Sequence, residues 1–280
     1  MVLLISHKHL YSTRRLLEEA EKIGLAIEVL DPEDLLGGKK PDPSHYQLLY
    51  VRSAFAHKSA AALPAIVNLA GQFEKFGKPV IDSGISRGNL ALGKWHEYTK
   101  LKAADIPVPV TVPFLECSNE QLSNKILKWI YGMKARDVFF IGNRNEAEGI
   151  LPKHPFSEWL VQDYIAAEWE YKVVCVGFKS LPVVVKYKSK TNALGMDFNS
   201  YSILKAESLP KVVDLAQKAS KALARELVKV DIVEASGRLY VLEVNRNPGL
   251  SDFERASKYN AFGKFATYLQ AICRKQPVLV

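Results

Sequence analysis

Short apolar runs recur along the first 85 residues, each bounded by polar or turn-forming residues. Such runs predict buried strands. They are VLLIS (2–6), LAIEVL (25–30), QLLYV (47–51) and PVI (79–81). An amphipathic helix is predicted from a Ser12 N-cap to Gly24, and another over residues 58–76. This alternation predicts a small parallel α/β unit over residues 1–85.

The chain between residues 86 and 165 predicts a linker helix followed by a small unit of mixed structure. The helix covers 86–104 and ends at DIPVP, because proline lacks the N–H that a helix needs. After a strand at TVPFL, the amphipathic run from Ser118 to Trp129 predicts a helix. Strands are then expected at YGMKA and VFFIG, a polar loop to about residue 157, and a strand at WLVQDYI.

Strands dominate from residue 166 onward. The runs YKVVCVG, LPVVVKYK, VKVDIVE and RLYVLEVN predict strands, and Ala-Ser-Gly between the last two predicts a hairpin turn. Pro210 opens a predicted helix that ends near Leu227, and a final helix is expected near residues 260–274. Residues 166–280 are therefore predicted to form a domain built on an antiparallel sheet.

Composition narrows the class of protein. The 280 residues are 48% hydrophobic, which supplies a substantial core. No apolar run is long enough to span a membrane, and the start MVLLISHKHLYSTRR has too short an apolar stretch for a signal peptide. We therefore expect no membrane partner and a cytoplasmic location. Three cysteines without a CxxC pair predict reduced thiols rather than disulfides or a zinc site.

The net charge of +8 favours an acidic partner, such as nucleotide phosphates, a carboxylate substrate, an acidic protein tail or nucleic acid. Lysine and arginine are spread along the chain, and no nucleic-acid-binding motif occurs, so nucleic acid is the weakest of these candidates. A basic surface without a specific partner is the simplest alternative.

Three oxygen-bearing side chains lie at strand spacing in the last predicted hairpin. Alternation places Lys229 with Asp231 on one face of the first strand, and Glu243 with Asn245 on one face of the second. Mg²⁺ prefers such hard oxygen ligands, completed by water and phosphate oxygens. The pattern predicts a metal site at Asp231, Glu243 and Asn245; polar residues on the solvent face of a sheet are the alternative.

The segment LEVNRNPGL, which contains Glu243, resembles the E-x-N-x-x-P-G metal-binding strand of the ATP-grasp superfamily, and VKVDIVE resembles the strand before it. Further segments resemble the RimK-like group in the same order. They are LYSTRRLLEEAEKIG, VIDSGISRGNLALGKWHEYTKLKAADIPVPVT, and LVQDYI followed by EYKVVCVG. The resemblance implies an α/β (α+β) ATP-grasp fold: an N-terminal Rossmann-like pre-ATP-grasp domain (1–85), a linker helix and small central lid (86–165), and a C-terminal antiparallel-sheet domain (166–280).

The resemblance also implies ATP and Mg²⁺ as cofactors, with Mn²⁺ as an alternative cation. Lys94 and Lys134 take the positions of two lysines on the ATP phosphates, and Glu170 takes that of the acidic residue at the ribose. The adenine hinge is implied at Gln162, Asp163, Tyr164 and Ile165.

Basic and polar residues near the reacting groups are implied in the same way. Lys172, Lys186 and Lys229 are the candidate catalytic cations, with Lys172 and Lys186 expected on strands that face the same region. Arg52 and Asn199 are the candidate substrate contacts. Without the resemblance, Lys94 and Lys134 would be surface residues, and a surface ion pair is the alternative role for Arg52.

The implied activity joins a carboxylate to an amine through an acylphosphate. The implied substrates are an amino acid or other carboxylate and a peptide, protein or small-molecule acceptor. The basic charge makes an acidic acceptor attractive. The oligomeric state is left open, although ligases of this family often assemble into homo-oligomers.

Two departures from the family pattern favour rival functions. Three residues separate Lys134 from VFFIG, where the family has a glycine-rich loop, and SKTNALGMDFNSYS lacks the family's arginine-asparagine pattern apart from Asn199. The rivals are a nucleotide-binding regulatory protein without turnover and a phosphotransferase without an amine acceptor.

Overall fold

The computed structural model describes residues 1–52, 60–82, 93–118, 122–132, 137–189, 196–246 and 248–275. Its strands form three sheets. The strands are β1 (Val2–Ile5), β2 (Ile27–Leu30), β3 (Leu48–Val51), β4 (Val80–Ile81), β5 (Thr111–Pro113), β6 (Lys125–Trp129), β7 (Val138–Ile141), β8 (Trp159–Asp163), β9 (Trp169–Val176), β10 (Lys179–Ser189), β11 (Met196–Lys205), β12 (Leu227–Ala235) and β13 (Arg238–Asn245). The α-helices of the described residues are α1 (Tyr11–Lys22), α2 (Pro32–Leu36), α3 (Leu63–Lys75), α4 (Gly93–Ala103), α5 (Arg144–Ile150), α6 (Pro210–Ala222), α7 (Ser251–Ser257) and α8 (Ala261–Lys275).

The N-terminal sheet has the strand order β2-β1-β3-β4, and all its neighbours are parallel. Parallel neighbours need a crossover connection, and α1, α2 and α3 lie in the three connections. The prediction of a parallel α/β unit is confirmed. The three domain boundaries drawn from the sequence stay predictions.

Helix α1 begins differently from its prediction. Its N-cap is Leu10, and no side chain caps the helix, so the assignment of Ser12 as N-cap is wrong. The Leu10 carbonyl already accepts hydrogen bonds from the backbone N–H groups of Thr13 and Arg14, which places Ser12 inside the first turn. Gly24 follows the helix with φ of +69°, as expected for a helix-ending glycine.

The middle sheet has the order β5-β8-β6-β7 and is antiparallel. The helix predicted from Ser118 to Trp129 is wrong for its described part: residues 122–124 form a turn, and the last five residues form β6. They are strand because β7 pairs on one side and β8 on the other, so the sheet supplies their backbone partners. Tyr131 and Gly132, predicted as strand, lie in the turn after β6.

Helix α5 occupies part of the segment predicted as a polar loop. Asn143 accepts a hydrogen bond from the Glu146 backbone N–H at 3.1 Å, and the Glu146 carboxylate accepts from the side chain of Asn143 at 3.0 Å. An Asn followed three residues later by Glu is a helix-start signal that the sequence contains.

The C-terminal sheet has the order β11-β10-β9-β12-β13 with antiparallel neighbours. Ser236 and Gly237 both have positive φ and form the turn between β12 and β13, which confirms the predicted hairpin. Helix α6 ends at Ala222 rather than near Leu227, because Leu227 already pairs with Val176 in the sheet. Strand β11 was missing from the prediction.

Helices α7 and α8 return the chain to the N-terminal sheet. Phe262 and Phe265 belong to the same buried cluster as Leu4 and Leu16. The Gln270 side chain donates a hydrogen bond to the backbone carbonyl at the end of α1, at 2.7 Å. The two ends of the chain therefore share one core, which places the end of β13 against the carboxyl edge of the N-terminal sheet.

Two expectations from composition can be compared with the structure. Cys117, Cys175 and Cys273 are free thiols, as predicted. Among the residues that the structure describes, no helix combines the length and the apolar character needed to cross a bilayer.

Candidate active site

One face of the C-terminal sheet carries the predicted metal ligands. Residues paired across antiparallel strands point to the same side of a sheet. Asp231 pairs with Glu243 and with Lys172, and Lys229 pairs with Asn245. These five side chains therefore share one face, as alternation predicted for the four that lie in the hairpin.

The two carboxylate oxygens of Asp231 have different surroundings. Oδ2 lies 3.0 Å from Lys172 Nζ and accepts a hydrogen bond from Asn245 Nδ2 at 3.1 Å. Oδ1 is buried without a hydrogen-bond partner, and Lys229 Nζ lies 3.7 Å away. A buried carboxylate oxygen without a partner is unfavourable unless a cation satisfies it. The environment of Oδ1 therefore fits a metal ion.

The chemistry of the donor set also fits Mg²⁺. Glu243 lies directly across the hairpin from Asp231, and Asn245 adds an amide. No cluster of three or more His, Cys, Asp or Glu side chains suited to a metal ion occurs in the described ranges. Two carboxylates and an amide would leave the remaining coordination positions to phosphate oxygens and water, which is usual for Mg²⁺.

Lys172 is buried between two carboxylates. Its Nζ contacts Glu170 Oε1 and lies 3.0 Å from Asp231 Oδ2. Burial alone lowers the pKa of Lys172, but the Asp231 and Glu170 carboxylates together raise it above its ordinary value. Lys172 therefore stays protonated and holds these two carboxylates together.

Lys186 does not lie where the sequence predicted. It pairs with Tyr171, whereas Lys172 pairs with the preceding residue, Val185. Successive residues of a strand alternate between faces, so Lys186 points away from the predicted metal ligands. Its Nζ lies over the Trp169 ring, 4.2 Å from the centroid. The expectation that Lys172 and Lys186 face the same region is wrong.

A cleft of about 180 Å³ lies between the metal-ligand face, the middle sheet and α4. Lys94 lies at the start of α4, where its backbone N–H and its Nζ donate to the carbonyls of Ile130 and Gly132 after β6. The cleft therefore brings Lys94, a predicted phosphate ligand, close to the predicted metal ligands and to Glu170, the predicted ribose ligand. Its charged and polar lining includes Lys94, Lys128, Gln162, Glu170, Asp231 and Glu243.

Lys128 is a cleft residue that the sequence prediction missed. It lies on β6, and its Nζ donates to Gln162 Oε1. Burial lowers the pKa of Lys128 to about 8, and Lys94 adds to the effect while the Glu243 and Glu170 carboxylates oppose it. A strand prediction for KILKW would have identified Lys128, because residues 126 and 128 lie on the same face of the strand and residue 126 pairs with Gln162. Lys134 lies outside the described residues.

Gln162 has a defined amide orientation. Thr111 Oγ1 donates to the Pro109 carbonyl at 2.9 Å and therefore accepts from Gln162 Nε2, also at 2.9 Å. The amide oxygen of Gln162 is thereby turned toward Lys128 and the cleft. Of the predicted hinge side chains, that of Gln162 lines the cleft.

The remaining hinge residues use their side chains elsewhere. Asp163 forms an ion pair with Lys125 at 2.6 Å. The Tyr164 ring meets the Phe140 ring edge-on, with centroids 5.2 Å apart. At Ile165 the carbonyl accepts a backbone hydrogen bond. An adenine contact at these three residues would use backbone groups, as the resemblance implies.

Arg52 is buried rather than exposed to a substrate. Its side chain donates to the Tyr50 hydroxyl at 3.3 Å and to the Pro248 carbonyl at 3.0 Å, and its guanidinium lies 5.3 Å from the Phe262 ring centroid. These contacts fix the turn that follows β13. The side chain of Asn199 lies outside the described residues.

Comparison with known proteins gives one family and one fold. The model of the RimK-like ATP-grasp domain matches residues 111–269. A probable alpha-L-glutamate ligase of Mannheimia succiniciproducens is 27% identical over 292 residues, which cover 96% of this chain and 97% of that protein. A probable alpha-L-glutamate ligase of Legionella pneumophila is 22% identical and covers 96% of this chain and 95% of its own length.

Solved structures resemble this chain from end to end. The ATP-grasp ligase PsnB, complexed with precursor peptide PsnA2 and AMPPNP, superposes with a TM-score of 0.72 at 15% identity and covers 98% of both chains. D-alanine–D-alanine ligase of Bacillus anthracis complexed with ATP has a TM-score of 0.64 at 18% identity, again over 98% of both chains. The predicted ATP-grasp fold is confirmed.

Proposed function

The chain belongs to the RimK-like ATP-grasp family of carbon–nitrogen ligases, and on this premise we propose that it activates a carboxylate with Mg-ATP and joins it to an amine. In the first step the γ-phosphoryl group passes to the carboxylate oxygen, which gives an acylphosphate and ADP. In the second step an amine attacks the carbonyl carbon, the bond to phosphate breaks, and the amine loses a proton. The products are an amide, ADP and phosphate.

The buried Oδ1 of Asp231, which has no hydrogen-bond partner, is the observation that supports this proposal most directly. It lies on the strand face that also carries Glu243, at the wall of a cleft that contains Lys94 and Lys128. Carboxylates that hold a cation beside lysines that hold phosphates form the usual arrangement for phosphoryl transfer. Polar residues on a merely solvated sheet face would not leave a carboxylate oxygen buried.

Each group in the cleft has a proposed role. Asp231, Glu243 and Asn245 would hold Mg²⁺, whose charge neutralises the phosphates when it is bound. Lys94 and Lys128 would hold phosphate oxygens, with Lys128 replacing the predicted Lys134 among the described residues. The proposed cation is Mg²⁺ rather than Mn²⁺, since Mg is the metal named in a PsnB complex with ADP.

The roles at the nucleoside and the carbonyl follow from position. Gln162, whose amide oxygen accepts from Lys128 Nζ, is the proposed side-chain contact of the hinge, and Glu170 is the proposed ligand of the ribose. Lys229, with its Nζ 3.7 Å from Asp231 Oδ1, is the proposed cation beside the reacting carbonyl. A positive charge there would stabilise the oxyanion that forms during amine attack.

The acceptor is proposed to be a peptide or a protein segment rich in acidic residues. The net charge of +8 favours acidic partners. Two relatives by fold, PsnB and the macrocyclase MdnC, are known in complexes with precursor peptides. Amino acids are the proposed second substrates, in line with the alpha-L-glutamate ligase relatives. A cytoplasmic location and a homo-oligomer stay predictions.

A nucleotide-binding regulatory protein is the second candidate function. Four residues separate Gly132 from Asp137, a short connection for a loop that must cover a triphosphate. A short loop would weaken capping of the γ-phosphate while leaving the adenine and metal contacts in place. Binding without turnover would therefore distinguish this candidate from the ligase.

Thermal stability in AMPPNP with and without Mg²⁺, followed by ADP release from Mg-ATP with pooled amino acids and acidic peptides, tests both candidates. The ligase predicts a Mg-dependent rise in Tm and ADP release that the pool stimulates, whereas the regulator predicts the rise alone. Glu243→Gln should remove the Mg-dependent part of the shift. Glu207→Gln, on an exposed side chain, should behave as the wild type. A full Mg-dependent shift in Glu243→Gln would disprove the metal assignment.

A further inference from the structure

Arg225 lies just before β12 and is buried, with 6% of the residue exposed. Its Nη1 donates to the Val244 carbonyl at 2.5 Å, and its Nη2 donates to Glu97 Oε1 at 2.5 Å. One guanidinium therefore joins β13 to α4. These two elements carry different parts of the cleft.

The groups that Arg225 holds are adjacent to residues with proposed roles. Val244 stands between Glu243 and Asn245, so a fixed Val244 carbonyl fixes the strand at both metal ligands. Glu97 stands three residues after Lys94 on α4, a spacing that places both on one side of the helix. Both Lys94 and Glu97 line the cleft. The guanidinium of Arg225 therefore links α4, which carries Lys94, to β13, which carries the proposed metal ligands.

The Arg225 end of the contact is buried and held by its surroundings. The Arg225 backbone N–H donates to the Ser220 carbonyl at 3.0 Å, and Ser220 Oγ donates to the Arg225 carbonyl at 2.6 Å. Burial lowers the pKa of Arg225, but the carboxylates of Glu97, Asp82 and Glu243 together raise it above the ordinary value. The Arg225 guanidinium is therefore charged in the folded protein.

The arginine is not the side chain that packing alone would favour. Its Nε is buried without a hydrogen-bond partner. A buried donor without a partner is unfavourable, and an apolar side chain of similar volume would avoid that penalty. The guanidinium supplies what an apolar residue cannot, which is a directional link to two groups at once.

A second buried pair holds β13 on the other side of Asn245. Arg246 Nε lies 2.8 Å from Asp82 Oδ2. Asp82 and Glu226 exchange backbone-to-carboxylate hydrogen bonds of 2.6 and 3.1 Å. This pair ties β13 to the N-terminal sheet, whereas Arg225 ties β13 to α4.

We propose that Arg225 is a positioning residue that couples nucleotide binding at Lys94 to metal binding at Glu243 and Asn245. The proposal rests on the nucleotide and metal roles given under the proposed function. Arg225 and Glu97 set the separation between α4 and β13, so that phosphates held by the lysine meet the cation held by the strand. Without the link, nucleotide and metal would each find their ligands, but not in the relative position that lets each favour the other.

The test measures the Kd of ADP by titration calorimetry in EDTA and in saturating Mg²⁺, which gives the factor by which Mg²⁺ tightens ADP binding. Arg225→Met and Glu97→Gln should each reduce this factor at least tenfold while changing the Kd in EDTA less than threefold. The double variant should be no worse than either single variant, because both remove the same link. Arg225→Lys should also fail, because one ammonium cannot reproduce the two-armed contact.

Lys218→Met is the matched control, since Lys218 is an exposed residue of α6 paired with Asp214. It should keep the wild-type factor. A wild-type factor in both Arg225→Met and Glu97→Gln would overturn the coupling role, whatever their Tm. Glu97→Gln preserves the test if Arg225→Met does not fold. If the wild type itself binds ADP no more tightly with Mg²⁺, the proposed function fails as well. Failure of the coupling role alone would instead appear as a normal Mg²⁺ effect in the wild type and in both variants.

Discussion

Lys128 should make nucleotide binding depend on pH. Its pKa is lowered to about 8, mainly by burial. An ammonium holds phosphate oxygens and a neutral amine does not, so this contribution to affinity is present below pH 8 and is lost as the pH rises through that value. The direction follows from the sign of the shift, since a lysine with an ordinary pKa would stay charged over the same range.

The magnitude follows from the protonated fraction. With a pKa of about 8, roughly nine-tenths of Lys128 is charged at pH 7 and roughly one-tenth at pH 9, so that the affinity falls about tenfold, or about 1.4 kcal/mol. Bound phosphate would raise the pKa of the amine in the complex, so the loss appears as a rising Kd between these two pH values.

The assay is the Kd of Mg-ADP between pH 6.5 and 9.5, roughly the range in which the lysine titrates. Binding is preferable to turnover because the amine acceptor has its own titration. Lys128→Arg should flatten the profile, since a guanidinium stays protonated throughout. Lys128→Met should bind weakly at pH 7 and show no further loss. A tenfold loss that persists in Lys128→Met would assign the titration to another group and refute the role of this lysine.

Two further predictions concern stability. Burial, with a contribution from the Asp82 charge, raises the pKa of Glu226 to about 7, so stability is lost as the pH rises from the ordinary carboxyl pKa through 7. Glu226→Gln should therefore raise the free energy of unfolding in urea by about 1–3 kcal/mol at pH 8 but hardly at pH 5, and equal gains at both pH values would contradict this. Gly177 has φ of +57°, and a Cβ there would lie 2.5 Å from Tyr268 Cε2, so Gly177→Ala should lose about 1–3 kcal/mol. Gly77→Ala, with φ of +66° and open space, isolates the backbone part, and an equal loss there would exclude the clash.

The shared face of the predicted metal ligands could be predicted because strand alternation is a local property. In the hairpin, residues 229 and 231 must share a side, and so must 243 and 245, whatever surrounds the sheet. The turn at Ser236 and Gly237 then sets the two strands against each other. Lys186 could not be placed in the same way. Its face depends on the register between β9 and β10, and one residue of slip reverses it.

Lys128 and Arg225 show two other limits of prediction from sequence. The apolar residues of KILKW fit a helix as well as a strand, and pairing with β7 and β8 decides for the strand. When the segment is predicted as a helix, the strand alternation that places Lys128 on the cleft side is not considered. Arg225 and Glu97 are 128 residues apart in the chain, so no local pattern relates them. Only the assembled fold brings them together.

The three lysines predicted as catalytic cations separate by geometry. Lys186 lies on the wrong face of the sheet, over Trp169. Lys172 faces the cleft side, but its ammonium is shared between Glu170 and Asp231 Oδ2, and moving it would leave two buried carboxylates without their cation. Lys229 instead lies 3.7 Å from Asp231 Oδ1, beyond a strong ion-pair distance, with 19% of its side chain exposed. A cation at Oδ1 would repel the Lys229 ammonium and release it from this carboxylate, whereas Lys172 and Lys186 would keep their present contacts.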